Sequence, residues 1–123
     1  MNIDVTISIP DTRIMDLLTK AFEGGVNYWA KVSGYKHAPK PNLDGEYYNP
    51  YAWLPLTSGG VLYIEDITDN ITHSLYDSVV RRGLQLMAEE YTEHFQNFIN
   101  GNADAVTADV FLQCCIFGEV PYG

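Results

Sequence analysis

From Asp104 to Phe117 the chain carries Val106, Val110, Phe111, Leu112, Cys114, Cys115, Ile116 and Phe117, a helix-length run with almost no polar side. Asp104 can cap such a helix. A helix apolar nearly all round must either lie at the centre of a core or share its surface with a second copy. In a chain of 123 residues this segment sets the architecture, and the other elements are arranged around it. Val106, Val110, Leu112, Ile116 and Phe117 cannot all face one small sheet, so the pattern predicts a homo-oligomer. The length fits one domain over residues 1–123, and 46% hydrophobic residues supply its core.

The remaining elements follow from periodicity. Asn2–Ile9 alternates, with Ile3, Val5, Ile7 and Ile9 on one side and Asn2, Asp4, Thr6 and Ser8 on the other, which predicts a half-buried strand. Pro10-Asp11 stops it. Asp11 is placed to cap a helix with Ile14, Leu17, Leu18, Ala21 and Phe22 as its apolar stripe, and Gly24-Gly25 is placed to end that helix. A second strand is expected over Val26–Ser33. Residues 34–60, punctuated by Gly34, Pro39, Pro41, Asp44-Gly45, Pro50, Pro55 and Gly59-Gly60, read as one long irregular loop. Val61–Ile67 and Ile71–Leu75 read as a hairpin around Thr68-Asp69-Asn70. A helix from Asp77 to about Glu90 presents Val80, Leu84 and Met87, and a further one carries Phe95, Phe98 and Ile99 and closes at Asn100-Gly101. The order β-α-β-loop-β-β-α-α-α predicts an α+β fold: about four antiparallel or mixed strands with helices packed mainly on one face.

Charge narrows the function. Sixteen acids against seven bases give a net charge of −9, which excludes direct nucleic-acid binding and an anionic membrane surface. No apolar run reaches the roughly 20 residues of a membrane span, and Met1–Pro10 has neither the basic nor the apolar part of a secretory signal. The adjacent Cys114 and Cys115 suit a reducing compartment, so a cytoplasmic protein is expected. No base follows Arg82, and the acids beyond it form either a solvated surface or a face for a basic partner.

Chemistry-bearing motifs are missing from the sequence. Phosphate loops, dinucleotide fingerprints, zinc-protease helices, paired Cys-x-x-Cys and nucleophile elbows are all absent. Glu90 and His94 stand one helical turn apart, but nothing nearby supplies a third metal ligand. Cys115 lies in the most hydrophobic helix, where a thiol is buried and not activated. No catalytic residue, metal or cofactor is therefore expected, and the protein reads as non-enzymatic.

Ala21–Trp29 (AFEGGVNYW) is the most informative stretch. If Val26–Ser33 is extended, Val26, Tyr28, Ala30 and Val32 form an apolar set, and Asn27, Trp29, Lys31 and Ser33 share the other face. Two readings follow for Trp29. In one it is covered by the long loop or by a helix. In the other, Asn27, Trp29 and Lys31 form an open platform for a planar, anionic, nucleotide-like molecule, with Trp53, Tyr47 and Tyr48 folding over it.

Ala21–Trp29, Thr107–Gly123 (TADVFLQCCIFGEVPYG) and Gly83-Leu84-Gln85-Leu86-Met87 between them resemble a family of small acidic proteins from bacteriophages and prophage regions. The resemblance spans most of the chain, with residues 34–60 the least typical part, and it carries no catalytic residues with it. It implies a phage accessory protein in the host cytoplasm, an inhibitor of host defence that sequesters a small nucleotide-like signal or binds a host protein. The alternatives are an acidic DNA mimic that occupies a nucleic-acid-binding protein, and a small nucleotide-modifying or hydrolytic enzyme.

Overall fold

The computed structural model describes residues 1–36 and 50–123; Tyr47 and Tyr48 lie outside the described residues. Helix α5 (Ala105–Phe117) is the hub of the fold. It packs on α3 (Asp77–Glu90), α1 (Asp11–Lys20), α4 (Thr92–Ile99) and strand β3 (Ile71–Leu75). Ala108, Phe111, Leu112, Cys114 and Cys115 are all fully buried. An apolar circumference thus finds neighbours on every side within one chain, and the oligomer inferred from α5 alone is not required. Of its residues only Ala105 and Val106, in the first turn, are exposed. Asp104 caps α5 as expected, its side chain accepting from Thr107 N–H at 2.9 Å, and Gly118 ends it in the left-handed conformation that glycine adopts without a Cβ clash.

The α+β class holds, with three strands among the described residues where about four are expected. β1 (Ala30–Lys36), β2 (Val61–Asp66) and β3 pair antiparallel in the order β1-β2-β3. Ala30, Leu62, Ile64 and Leu75 bury one face against the helices, while Lys31, Thr72 and Ser74 are exposed on the other. The hairpin turns through Asn70, whose φ of 57° is a conformation asparagine tolerates.

The missing strand is Asn2–Ile9. Its alternation is real, but the segment pairs with no strand among the described residues, and Ile3, Val5 and Ile7 are 74%, 76% and 53% exposed. Alternation shows that a segment can pair; it does not provide a neighbouring edge. Here Pro10 leads directly into α1, and Val5, Ile7 and Ile9 lie beside helices α1 and α3 instead. Pro10, not Asp11, takes the capping position of α1, with no side-chain cap.

Two further boundaries differ from expectation. α1 runs on into a widened turn, Ala21–Gly25, and Val26–Trp29 continue as turns, so strand pairing starts only at Ala30. Trp29 and Ala30 both donate their N–H groups to the Val26 carbonyl, at 2.9 Å. Gly25 is required by close approach: a Cβ there would stand 2.7 Å from the Ala105 carbonyl oxygen. The long loop is also shorter than predicted. Gly34–Lys36 belong to β1, and the short helix α2 (Pro50–Trp53) and the turn Leu54–Leu56 bury Ala52, Trp53 and Leu54 in the core.

Candidate functional site

Val26 and Ala30 are buried and Asn27, Lys31 and Ser33 exposed, as an extended strand would have them, but the turn over Val26–Trp29 exchanges the places of Tyr28 and Trp29. Trp29 is 0% exposed and Tyr28 is 51% exposed. The platform reading is corrected on this point, and the covered reading of Trp29 is the one the structure bears. The cover comes from the end of α5 and the tail after it. Phe117 meets the indole at 5.2 Å between ring centroids, and Tyr122 stacks on it at 5.6 Å.

A closed polar network surrounds that indole. Trp29 Nε1–H donates to Asp109 Oδ1 at 2.8 Å, and the Tyr28 hydroxyl donates to Asp109 Oδ2 at 2.5 Å. Gln113, one turn further along α5 and fully buried, donates to Asp109 Oδ1 at 2.8 Å and to the Tyr122 carbonyl at 3.2 Å, and accepts from Tyr122 N–H at 2.9 Å. The Tyr122 hydroxyl then donates to Asp66 Oδ2 at 2.7 Å, and Asp66 Oδ1 takes the Thr68 N–H and hydroxyl. No buried side-chain nitrogen or oxygen among the described residues lacks a partner. Burial pushes the Tyr28 phenol up to about 12, and the adjoining Asp109 carboxylate adds to it. Burial works against ionised Asp66, but the hydrogen bonds from Thr68 and Tyr122 outweigh it and hold the carboxyl below its usual range. An acid saturated with donors and a phenol that keeps its proton build structure; they neither abstract protons nor attack.

Asp109, Gln113, Tyr122, Asp66 and Thr68 were not singled out by sequence reasoning. One signal was available: Asp109 and Gln113, spaced i, i+4, are the polar pair in the most apolar helix. Such residues need partners from elsewhere in the chain.

The other expected site residues are dispersed. Asn27 is exposed in the turn. Lys31 faces solvent and pairs with Glu65 across β1–β2 at 3.2 Å. Trp53 is buried on α2. His94 Nδ1 lies 3.1 Å from Thr107 Oγ1, and no cluster of three or more potential metal ligands occurs among the described residues. Cys114 and Cys115 are free and buried; burial raises the first thiol to about 11 and the second well above its ordinary value.

The concave surface lies on the opposite flank of α5's neighbours. A cleft of about 300 Å³ is walled by Val5, Ile7 and Ile9 of the N-terminal segment, Ile14 of α1, Val80 and Leu84 of α3, and Phe95 of α4. A second depression of about 550 Å³ adjoins it and shares Asp11, Leu56, Asp77 and Arg81. Arg81 Nε donates to Asp77 Oδ2 at 2.9 Å on this shared rim. Val5, Ile7, Ile9, Ile14, Val80 and Leu84 give the cleft an aliphatic side, and Asp11, Asp77, Arg81 and Gln85 give it a polar one, a mixture suited to a protein partner.

No protein-family model, curated protein or solved structure matches the chain. No described helix is long and apolar enough to cross a membrane.

Proposed function

We propose that this is a non-enzymatic binding protein of the phage accessory type, which inhibits host defence by occupying a host protein through its N-terminal segment and the adjoining cleft. The observation that carries this reading is the stripe of Ile3, Val5 and Ile7, exposed at alternate positions beside the aliphatic side of the cleft. Single exposed aliphatic residues are ordinary, whereas a continuous stripe beside a groove is the usual mark of a protein contact.

Three further observations support binding to a protein over the alternatives. The two indoles expected to stack on a nucleotide-like ligand, Trp29 and Trp53, are both buried. A DNA mimic needs its carboxylates free. Here Asp66 and Asp109 are turned into the network, Asp104 caps α5, and Asp16, Asp77 and Glu65 are paired with Lys20, Arg81 and Lys31. Nucleophilic catalysis by cysteine needs an accessible thiolate, and both thiols are buried with raised pKa values.

The test uses the host protein captured by the wild-type chain, identified by mass spectrometry and rebound in pure form. A Val5→Asp/Ile7→Asp variant should weaken that complex by roughly 30- to 900-fold, because two desolvated contact residues each cost on the order of 1–2 kcal/mol. Asn27→Ala should leave it unchanged. Unaltered binding by the double variant, or a stoichiometric nucleotide released when the purified protein is denatured, would overturn the reading.

A further inference from the structure

The two outer edges of the sheet are built differently. On its outer edge β1 carries Lys31 and Lys36 and is broken by a bulge between Val32 and Gly34, and both devices discourage another strand from adding. β3 has neither. Its five residues, Ile71-Thr72-His73-Ser74-Leu75, contain no lysine, acid or proline, and its register with β2 is continuous from Asp66↔Ile71 to Leu62↔Leu75. Nor is its inner face finished. Leu75 is buried and His73 packs edge-on to Phe117, yet Ile71, next on the same face, is 52% exposed. The core stops one strand short.

The same chain carries a segment with a strand's pattern that pairs with no strand among the described residues. Ile3, Val5, Ile7 and Ile9 would continue the apolar face past Ile71, His73 and Leu75. Asn2, Thr6 and Ser8 would join Thr72 and Ser74 on the solvent face. Neither the segment nor the edge brings a like charge against the other, since Asp4 is the only charged side chain among residues 2–9 and 71–75. In its own chain the segment is led away from β3, because Ile9 and Pro10 run into α1 and its side chains lie against α3 and α4.

We propose that Asn2–Ile9 pairs with the open edge of β3 in a second copy, so that two chains exchange N-terminal strands in a closed two-fold dimer and each sheet gains its fourth strand. Exchange satisfies both copies at once, since each donates one segment and each offers one edge. It also withdraws Val5 and Ile7 from their own cleft, leaving Val80, Leu84 and Phe95 open to another molecule. The inference concerns the protein alone; exchange and a host protein would compete for Val5 and Ile7, while the vacated cleft stays available to the host protein.

The test exploits the absence of exposed native thiols. Thr6→Cys protein is mixed with Thr72→Cys or with Ser74→Cys protein and oxidised; all three positions are exposed and lie on the polar faces, so each variant should fold, as circular dichroism will verify. A disulfide-linked mixed dimer with one of the two edge variants is expected, together with a dimer of the wild type by light scattering at high micromolar concentration. Ile7→Asp should raise the dimer dissociation constant at least about tenfold. Three results would each overturn the proposal. One is a monomer at every concentration. Another is an intrachain disulfide in the Thr6→Cys/Thr72→Cys double variant. The third is a wild-type dimer that Ile7→Asp leaves intact. Loss of host-protein binding with the dimer unchanged would count against the dimer's role for the segment and not against host binding.

Discussion

Trp29 donates its indole N–H to Asp109 Oδ1 at 2.8 Å, joining residues 80 positions apart in the sequence. That bond fastens the turn after α1 to the middle of α5. Through Gln113 it also fixes the tail, because Tyr122 is held by both its N–H and its carbonyl and lies stacked on the same indole. Ala21–Trp29 and Thr107–Gly123 are therefore the two halves of one contact.

Burial decides what happens when either aromatic of the Tyr28-Trp29 pair is truncated. Trp29→Ala empties a fully buried site and should destabilise the protein by about 3–5 kcal/mol. Tyr28→Ala removes a half-exposed ring and one hydrogen bond and should cost only about 1 kcal/mol. Urea denaturation of both variants checks the order. Had Val26–Ser33 been a strand, the order would be reversed.

Removing the acceptor at the centre of the network should be costly for a different reason. Asp109→Ala leaves the Trp29 N–H and the Gln113 amide without their acceptor in a buried setting, and each orphaned donor costs about 1–3 kcal/mol. Asp109→Asn keeps a carbonyl oxygen for those donors and gives up only the acceptor of the Tyr28 hydroxyl. The asparagine variant should therefore retain most of the stability that the alanine variant loses, as paired melting curves would show.

How far the sequence could be read depended on where the information lay. The helices after Asp77 and the hairpin were legible from periodicity and a cap: Val80, Leu84 and Met87 recur at helical spacing, and Asp104 caps α5. Those signals are local. The site was not legible, because Trp29's environment is made by Asp109, Gln113 and Tyr122, residues brought close only by the finished fold. The turn at Val26–Trp29 hid it further. Asn-Tyr-Trp reads as strand by propensity, but the Val26 carbonyl collects two N–H groups and bends the chain before pairing begins. Asn2–Ile9 failed in the opposite way, since its pattern is that of a strand while its own fold provides no edge beside it.

The packing of α3 against α5 makes a prediction at Gly83. A Cβ there would collide with Cys115 Sγ and would also stand 2.8 Å from its Cα and 2.9 Å from its backbone nitrogen. Gly83→Ala should destabilise by about 1–3 kcal/mol, despite alanine's better helix propensity, because the two helices must separate. Cys115→Ala should give back only part of that in the double variant, since backbone atoms remain in the way. Full recovery by the double variant would locate the clash in the thiol alone.

Alkaline pH should expose the buried acids. Cys114 ionises at about 11 in the folded chain against an ordinary value of 9.0, and Cys115 is raised further still. The unfolded chain therefore loses these protons first and is favoured as pH rises. The thiol contribution is intact below pH 9 and is lost progressively as pH climbs through 11. Tyr28, raised from 10.0 to about 12, behaves alike over the next interval. Urea midpoints should thus be level up to about pH 9 and fall steadily above it. Tyr28→Phe should flatten the fall above pH 10 while leaving the part between 9 and 10 unchanged. Iodoacetamide should leave both cysteines unlabelled at pH 8 until urea unfolds the chain. Rapid labelling of the native protein would mean that α5 is not the covered hub described here.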